Sequence, residues 1–491
     1  MGGPKPVQNY STLTPAEQLS YRKRREICRK LGSLRGELKS WLDRSEEGQP
    51  LEKHYTQIRA VHAHLSQWSR NVRRLVRDGM RQGANTFFDS IYDVERLILS
   101  EHRIWEFFRG KFIQREEAGF RRYLKVADEF AWSCYGPVQR HVYPDPANAA
   151  RKEPPLVYFN GGSSPFSFSR GREFKPEDVP FAGEGLTGTE LAVANLLPIP
   201  LVGIPWYQIA HLPEAVVIGH EVGHIVEDDF GLTGRLEVLL HEAVAEAGAE
   251  RRQGAWSAWL GEVFADVYGC LSAGPAFVGA LMDFLTRDFA ELSEESKTEE
   301  DWGRYPTTYL RGRILIRILE EMGFNREAAG YKDLWGNFSS SMPPEFVDDI
   351  NFLVPKLMSA PLFDGATPGV AGKSLREVFN FTRRQQDAVV STVEQLEKGL
   401  TLTTRDVRVL FAAARTSFEA DPKRFTLKGY EELLLARLEA PDVMQAGTRR
   451  IQEPPISQHE LKKKLQGYEQ SAQLLIDELR KRDARPRTRP R

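Results

Sequence analysis

The chain has 491 residues, a length that fits about three domains or one elaborated domain. Hydrophobic residues make up 41% and aromatics 10%, enough to bury a real core, which excludes a wholly disordered chain. The 67 lysines and arginines stand against 68 aspartates and glutamates, a net charge of -1, so the molecule carries no overall basic field and nucleic acid is not an expected partner.

The first 143 residues read as a helical N-terminal region. Apolar residues at helical spacing (Ile27, Leu31, Leu34, Leu38, Leu42) predict a helix over 19–42. Thr14-Pro15-Ala16-Glu17 before it reads as an N-cap with proline at the first helical position. Further helices are expected over 51–76 and 87–132. Residues 1–100 hold 18 basic against 11 acidic side chains, a solvated bundle face or a surface for a recruiting partner.

Composition shifts after Tyr143. Residues 144–155 read as a linker, and Leu156-Val157-Tyr158-Phe159 as a short strand ended by Asn160-Gly161-Gly162. Residues 161–188, rich in Gly, Ser, Pro and Phe, read as loop. The stretch Leu196 to Ile204 reads as a strand, and its prolines Pro198 and Pro200 assign it to a sheet edge. An extended peptide pairing beside 199–204 is the expectation that follows. Helices are expected at 214–227, 236–251, 256–272, 277–292 and 310–322. Residues 323–375 read as irregular. Helical patterns return at 374–398, 404–418 and 427–438. The tail, 451–491, reads as basic helix running into disordered Arg-Pro repeats. The expected division is a helical region 1–143, a core 144–330, a helical region 331–450 and the tail.

Cys28, Cys134 and Cys270 are too far apart for a zinc knuckle, a CxxC motif or a disulfide framework, which favours a reducing compartment. The N-terminus has no apolar stretch of the signal-peptide kind, and no run approaches 18 uncharged apolar residues. The expectation is a soluble cytoplasmic protein with no membrane span.

Residues 220–224 read His-Glu-Val-Gly-His. On a helix, positions i and i+4 share a face, so His220 and His224 can both point at one metal ion. Glu221 falls beside the ion, where it can take a proton from an activated water. From composition alone such a pattern arises by chance on the order of 0.02 times in this chain. A catalytic zinc site needs a third protein ligand. A histidine six residues after His224 is excluded, because position 230 is Phe. Glu262 is the favoured third ligand and His241 or Glu242 the alternative. Glu262 and Asp266 share a face of an otherwise apolar helix, where charge is costly unless paired or metal-bound. Asp266 can orient a ligating imidazole. Glu227, Asp228, Asp229, Glu246 and Glu250 read as solvated or capping residues.

The pattern His220-Glu221-x-x-His224 followed by Glu262-x-x-Ala265-Asp266 resembles the gluzincin zinc metallopeptidases. The E-x-x-A-D form is similar to that of the HtpX/CAAX-prenyl-protease-like group. Tyr305-Pro306-Thr307-Thr308-Tyr309-Leu310-Arg311 resembles that group's later His-Pro followed by Arg, with Tyr305 where the histidine is usual. The resemblance spans roughly 195–320 and lacks that group's membrane helices. It implies a zincin-like core, one catalytic Zn2+ and hydrolysis of a protein or peptide substrate. The expected fold is mainly α with a small mixed β-sheet, a zincin-like metallopeptidase core flanked by helical N- and C-terminal regions. Tyr305, Tyr309 and Arg311 are candidate oxyanion stabilisers, with packing and a surface ion pair as the plainer roles. Two other functions compete: a catalytically silent zincin-fold scaffold, and a secreted or translocated effector protease.

Overall fold

The computed structural model describes residues 10–47, 49, 51–145, 148, 150–169, 199–208, 211–286, 301–336, 343–364, 372–443 and 466. It is mostly helical with a small mixed sheet. The expected tail, 451–491, lies outside the described residues apart from Gln466.

Helix α1 spans Pro15–Asp43, α2 Tyr55–Gln82 and α3 Ala84–Ile113. Thr14 caps α1 as expected. Its hydroxyl accepts from the Glu17 N–H, and the Glu17 carboxylate accepts from the Thr14 N–H at 2.8 Å. The apolar stripe Ile27, Leu31, Leu34 and Leu38 is buried against α2 and α3. The helix expected over 87–132 is two helices, α3 and α4 (Ala118–Val142). The turn between them aims Gln114 and Arg115 at the sheet, a long-range demand that local periodicity does not carry.

That sheet has three strands in the order β1-β3-β2: β1 is Leu156–Asn160, β2 Phe166–Phe168 and β3 Leu201–Pro205. β1 runs parallel to β3, and β2 antiparallel to it. The segment expected at the edge is therefore the central strand. Pro200 precedes the ladder, and from Leu201 onward the backbone pairs on both sides. Its carbonyl even accepts from the Leu156 N–H at 2.9 Å. Pro198 lies outside the described residues. A peptide cannot pair beside 199–204. β2 is a strand inside what reads as loop.

Both sheet faces are covered, which explains the continuous burial of β1 and β3. Leu156, Tyr158, Phe168 and Leu201 face the α1–α3 bundle. Val157, Phe159, Val202 and Ile204 face a larger core that runs from Leu124 to Val443. α4 belongs to this larger core, although composition groups it with the N-terminal helices. The segments on either side of position 330 also share it. β1's outer edge is closed by side chains. The Gln114 amide donates to the Phe159 carbonyl and accepts from its N–H, both at 2.8 Å. Arg115 donates to the Val157 carbonyl at 2.6 Å, while Asp128 accepts from the Val157 N–H at 3.3 Å.

The larger core is built from α5 (Ile218–Asp229), α6 (Thr233–Glu246), α7 (Gln253–Ala273), α8 (Pro275–Leu285) and α9 (Thr308–Glu321), then α10 (Asn325–Trp335) and α11 (Glu345–Ser359). α10 and α11 correct the irregular reading of 323–375. α10 buries little beyond Ala328 and Trp335, so its stripe is thin, whereas α11 carries a regular stripe (Phe346, Ile350, Leu353, Val354, Leu357) that reads as irregular only because Pro343, Pro344 and Pro355 punctuate it. After the β4–β5 hairpin (Pro361–Phe363, Lys373–Ser374) the helix expected over 374–398 is two, Leu375–Val378 and Arg383–Glu397. Phe379 and Phe381 are buried between them. Val407–Ala420, Pro422–Leu427 and Tyr430–Leu438 complete the described helices. Among the described residues, no helix is long and apolar enough to cross a membrane.

Candidate metal centre

α5 carries His220, Glu221 and His224. It continues a 3-10 turn, Leu212–Val217, that opens at Pro213. Every α5 residue except Asp228 is buried. α5 lies directly against α7, and two glycines set how close. A β-carbon on Gly223 would stand 2.8 Å from Cβ of Tyr268 and 3.0 Å from Cα of Ala265. One on Gly219 would stand 2.9 Å from Cβ of Ser272. The helix backbones approach because these β-carbons are missing, and Glu262 on α7 then reaches both imidazoles. The reading of the sequence passed over these glycines. The signal was present as small residues four apart on each helix, Gly219 and Gly223 facing Ala265 and Gly269. Gly223→Ala should wedge the helices apart at a cost of about 1–3 kcal/mol. The expected result is a lower melting temperature and at least tenfold weaker zinc retention against a competing chelator.

The donor atoms of His220, His224 and Glu262 lie within 4.8 Å of one another. The two Nε2 atoms are 3.2 Å apart. Oε2 of Glu262 is 3.3 Å from Nε2 of His220, and Oε1 is 3.6 Å from Nε2 of His224. A tetrahedral ion with bonds of about 2.0–2.1 Å holds its nitrogen ligands about 3.3 Å apart. The arrangement fits a zinc ion. Oε2 of Glu262 is moreover buried with no hydrogen bond among the described residues.

Asp266, one turn after Glu262, lies 2.9 Å from Nδ1 of His220. It is held in turn by Arg311 on α9, whose Nε and a terminal nitrogen donate to its two oxygens at 2.7 and 2.8 Å. Arg311 is buried, 6% exposed, so the surface ion pair is not what it makes. Its fork is committed to Asp266, which removes it from the oxyanion candidates. Tyr309 packs its ring against the core and its carbonyl accepts from Trp335 Nε1 at 3.1 Å. Tyr305 lies at the surface between two guanidiniums, 5.7 Å from that of Arg311 and 6.0 Å from that of Arg304.

The alternative third ligands lie elsewhere. His241 is exposed on α6 beside Gln253, and Glu242 pairs with Lys356 at 3.1 Å. Two acidic residues read as solvated or capping are buried. Glu227 accepts from the Thr233 hydroxyl at 3.0 Å, and Asp229 accepts from the Tyr135 hydroxyl at 2.7 Å. Glu221 is buried and makes no hydrogen bond or ion pair with a described residue. Arg304 was not singled out. Its Nε stands 3.6 Å from Oε1 of Glu262, and its side chain is 44% exposed. It comes from the segment ahead of α9, where no periodicity marks it.

Charge is tightly organised. Burial pushes the Glu262 carboxyl up, but His224 and His220 outweigh it and hold the group well below the usual carboxylate range. Burial likewise pushes Asp266 up, and Arg311 more than reverses it. For His220, burial disfavours the charged ring, while the adjacent carboxylates of Asp266 and Glu262 carry the pKa up to about 9. In the metal-free site His220 is thus protonated at neutral pH and must lose that proton to ligate. Zinc affinity should rise about tenfold per pH unit up to about pH 9 and level off above it. Titrations at pH 6, 7, 8 and 9.5 with a competing chelator read this slope. Comparison with protein-family models, curated proteins and solved structures finds no match for the chain.

Proposed function

We propose that the protein is a zinc-dependent metallopeptidase with a zincin-like core, and that it hydrolyses peptide bonds of a protein or peptide substrate. The observation that carries this reading is the convergence of His220, His224 and Glu262 with Glu221 in the same helical turn. Bound there, zinc supplies an acidified water and a Lewis acid for the scissile carbonyl. Glu221 takes the proton and passes it to the leaving amine. No other described side chain engages its carboxylate. Asp266 fixes the tautomer and aim of His220, and Arg311 fixes Asp266. Burial and the nearby Glu262 push the Tyr305 phenol up, so it keeps its proton and can donate to a developing oxyanion.

β2 packs against α5. A catalytically silent scaffold would have no use for a buried, uncommitted Glu221. The three cysteines are unpaired, which suits a cytoplasmic setting. The basic face of the N-terminal bundle is a candidate recruiting surface. The test is metal content with cleavage. The purified protein should hold one zinc per chain, cut an unfolded protein or a peptide library, lose cutting to a chelator and regain it with zinc. His220→Ala, His224→Ala or Glu262→Ala should lose the metal. A protein without zinc, or one that cuts equally well when stripped, rejects the reading.

A further inference from the structure

We propose that Arg140 and Arg151 form a binding site for a phosphate group, where α4 ends and the linker to β1 begins. The site uses no residue of the metal centre and stands apart from the metallopeptidase reading.

Two hydrogen bonds fix the linker at this point. The Gln139 amide donates to the Lys152 carbonyl, and the Lys152 amine donates to the Asp229 carbonyl at the end of α5. The first bond joins positions 139 and 152. The next residue on α4 and the preceding residue of the linker, Arg140 and Arg151, are thereby brought side by side. Arg140 is exposed but folds back along its own helix. A β-carbon on Gly136, one turn earlier, would stand 2.8 Å from Nη1 of Arg140 and 3.4 Å from Cε2 of Trp132. The space left by that missing side chain is the cradle in which the Arg140 guanidinium lies, beside the Trp132 ring. Arg151 is half-buried, and its Nε is out of water with no hydrogen-bond partner. Neither guanidinium makes a hydrogen bond or ion pair with a described residue. Partial burial, and after it the charge of Arg151, pushes the Arg140 guanidinium below its usual value, and no carboxylate opposes the shift.

The plain role for a cation here is to face the negative end of α4. That accounts for one guanidinium and leaves the second uncompensated. Two guanidiniums that repel each other are completed by an anion of charge about −2 that offers several acceptor oxygens. A phosphate group meets both conditions, as the free ion or as the monoester of a small molecule.

Calorimetric titration of the full chain with inorganic phosphate, and separately with glycerol phosphate, reads the site at ionic strength matched with chloride. We expect one phosphate per chain with a Kd of about 1 mM or tighter, as two charge-assisted contacts provide. Arg140→Gln and Arg151→Gln should each weaken binding by about tenfold or more. Arg384→Gln removes an exposed charge from another helix and should bind as the parent does. So should Glu262→Ala, which lacks the metal group. Tighter binding of glycerol phosphate supports the site and names a monoester as its ligand; tighter binding of inorganic phosphate supports it and names the free ion. Absence of binding by either probe, or parent-like binding in Arg140→Gln or Arg151→Gln, overturns the inference. An equal loss in Arg384→Gln overturns it as a general charge effect. Loss of binding in Glu262→Ala overturns it by placing the anion on the metal. Acetate competing as strongly as phosphate overturns it, since a single negative charge would then suffice.

Discussion

Glu221→Gln will keep one zinc per chain and the melting temperature of the parent, while peptide hydrolysis falls by about 10²–10⁴-fold, the share a positioned general base contributes. The amide keeps the shape of the carboxylate but cannot accept the proton. None of the groups that converge on the ion, His220, His224 and Glu262, is altered. Glu221 has no hydrogen bond or ion pair among the described residues, so its replacement leaves no buried partner stranded. Metal analysis beside turnover on a verified peptide separates the two effects. Parent-like turnover in this variant would show that the base lies elsewhere. Loss of zinc would mean that Glu221 helps to hold it.

Arg311→Met will be the most destabilising single change at the site. Arg311 and Asp266 are both buried and doubly bonded. Removing one member of such a pair leaves an uncompensated buried charge and costs about 3–5 kcal/mol. Here the stranded group is Asp266, which also steadies His220, so zinc affinity should drop with stability. Asp266→Asn removes a charge but keeps an acceptor, and should weaken zinc by about 10–100-fold with a smaller loss of stability. Arg311→Met combined with Asp266→Asn should recover part of the stability of Arg311→Met alone. Chemical denaturation of the four proteins, metal-free, reads the coupling. Additive losses would show that the pair does not act as a unit.

The convergence of His220, His224 and Glu262 was legible because its signal is local. His220 and His224 need only a helix between them, and Glu262 with Asp266 reads as two charges on an apolar stripe. The capped start of α1 was legible for the same reason, as Thr14, Pro15 and Glu17 interact within one turn. What escaped depends on partners distant in the chain. Pro200 marks a strand edge only if it lies within the ladder, and it stands one residue before it. Arg311 reads as a surface cation until α9 is seen to carry it beneath Tyr305. The break between α3 and α4 exists to bring Gln114 and Arg115 to β1, and no residue near it forces a helix to stop.

The sheet lies between two cores, and this bears on how the chain can be divided. An N-terminal recruiting module should detach cleanly, but α1–α3 form one wall of the sheet. Without them Leu156, Tyr158, Phe168 and Leu201 would meet water as one apolar face. The remainder of the chain, produced alone from α4 onward, should therefore aggregate. Supplied together as separate polypeptides, the bundle and the remainder should find each other, because the surface each lacks is the surface the other presents. Gln114 and Arg115, carried at the end of the bundle fragment, would dock onto the backbone of β1 and set the register of that reassembly. The protein is in this respect a split fold held on one chain, with its two halves joined at a strand edge that side chains complete.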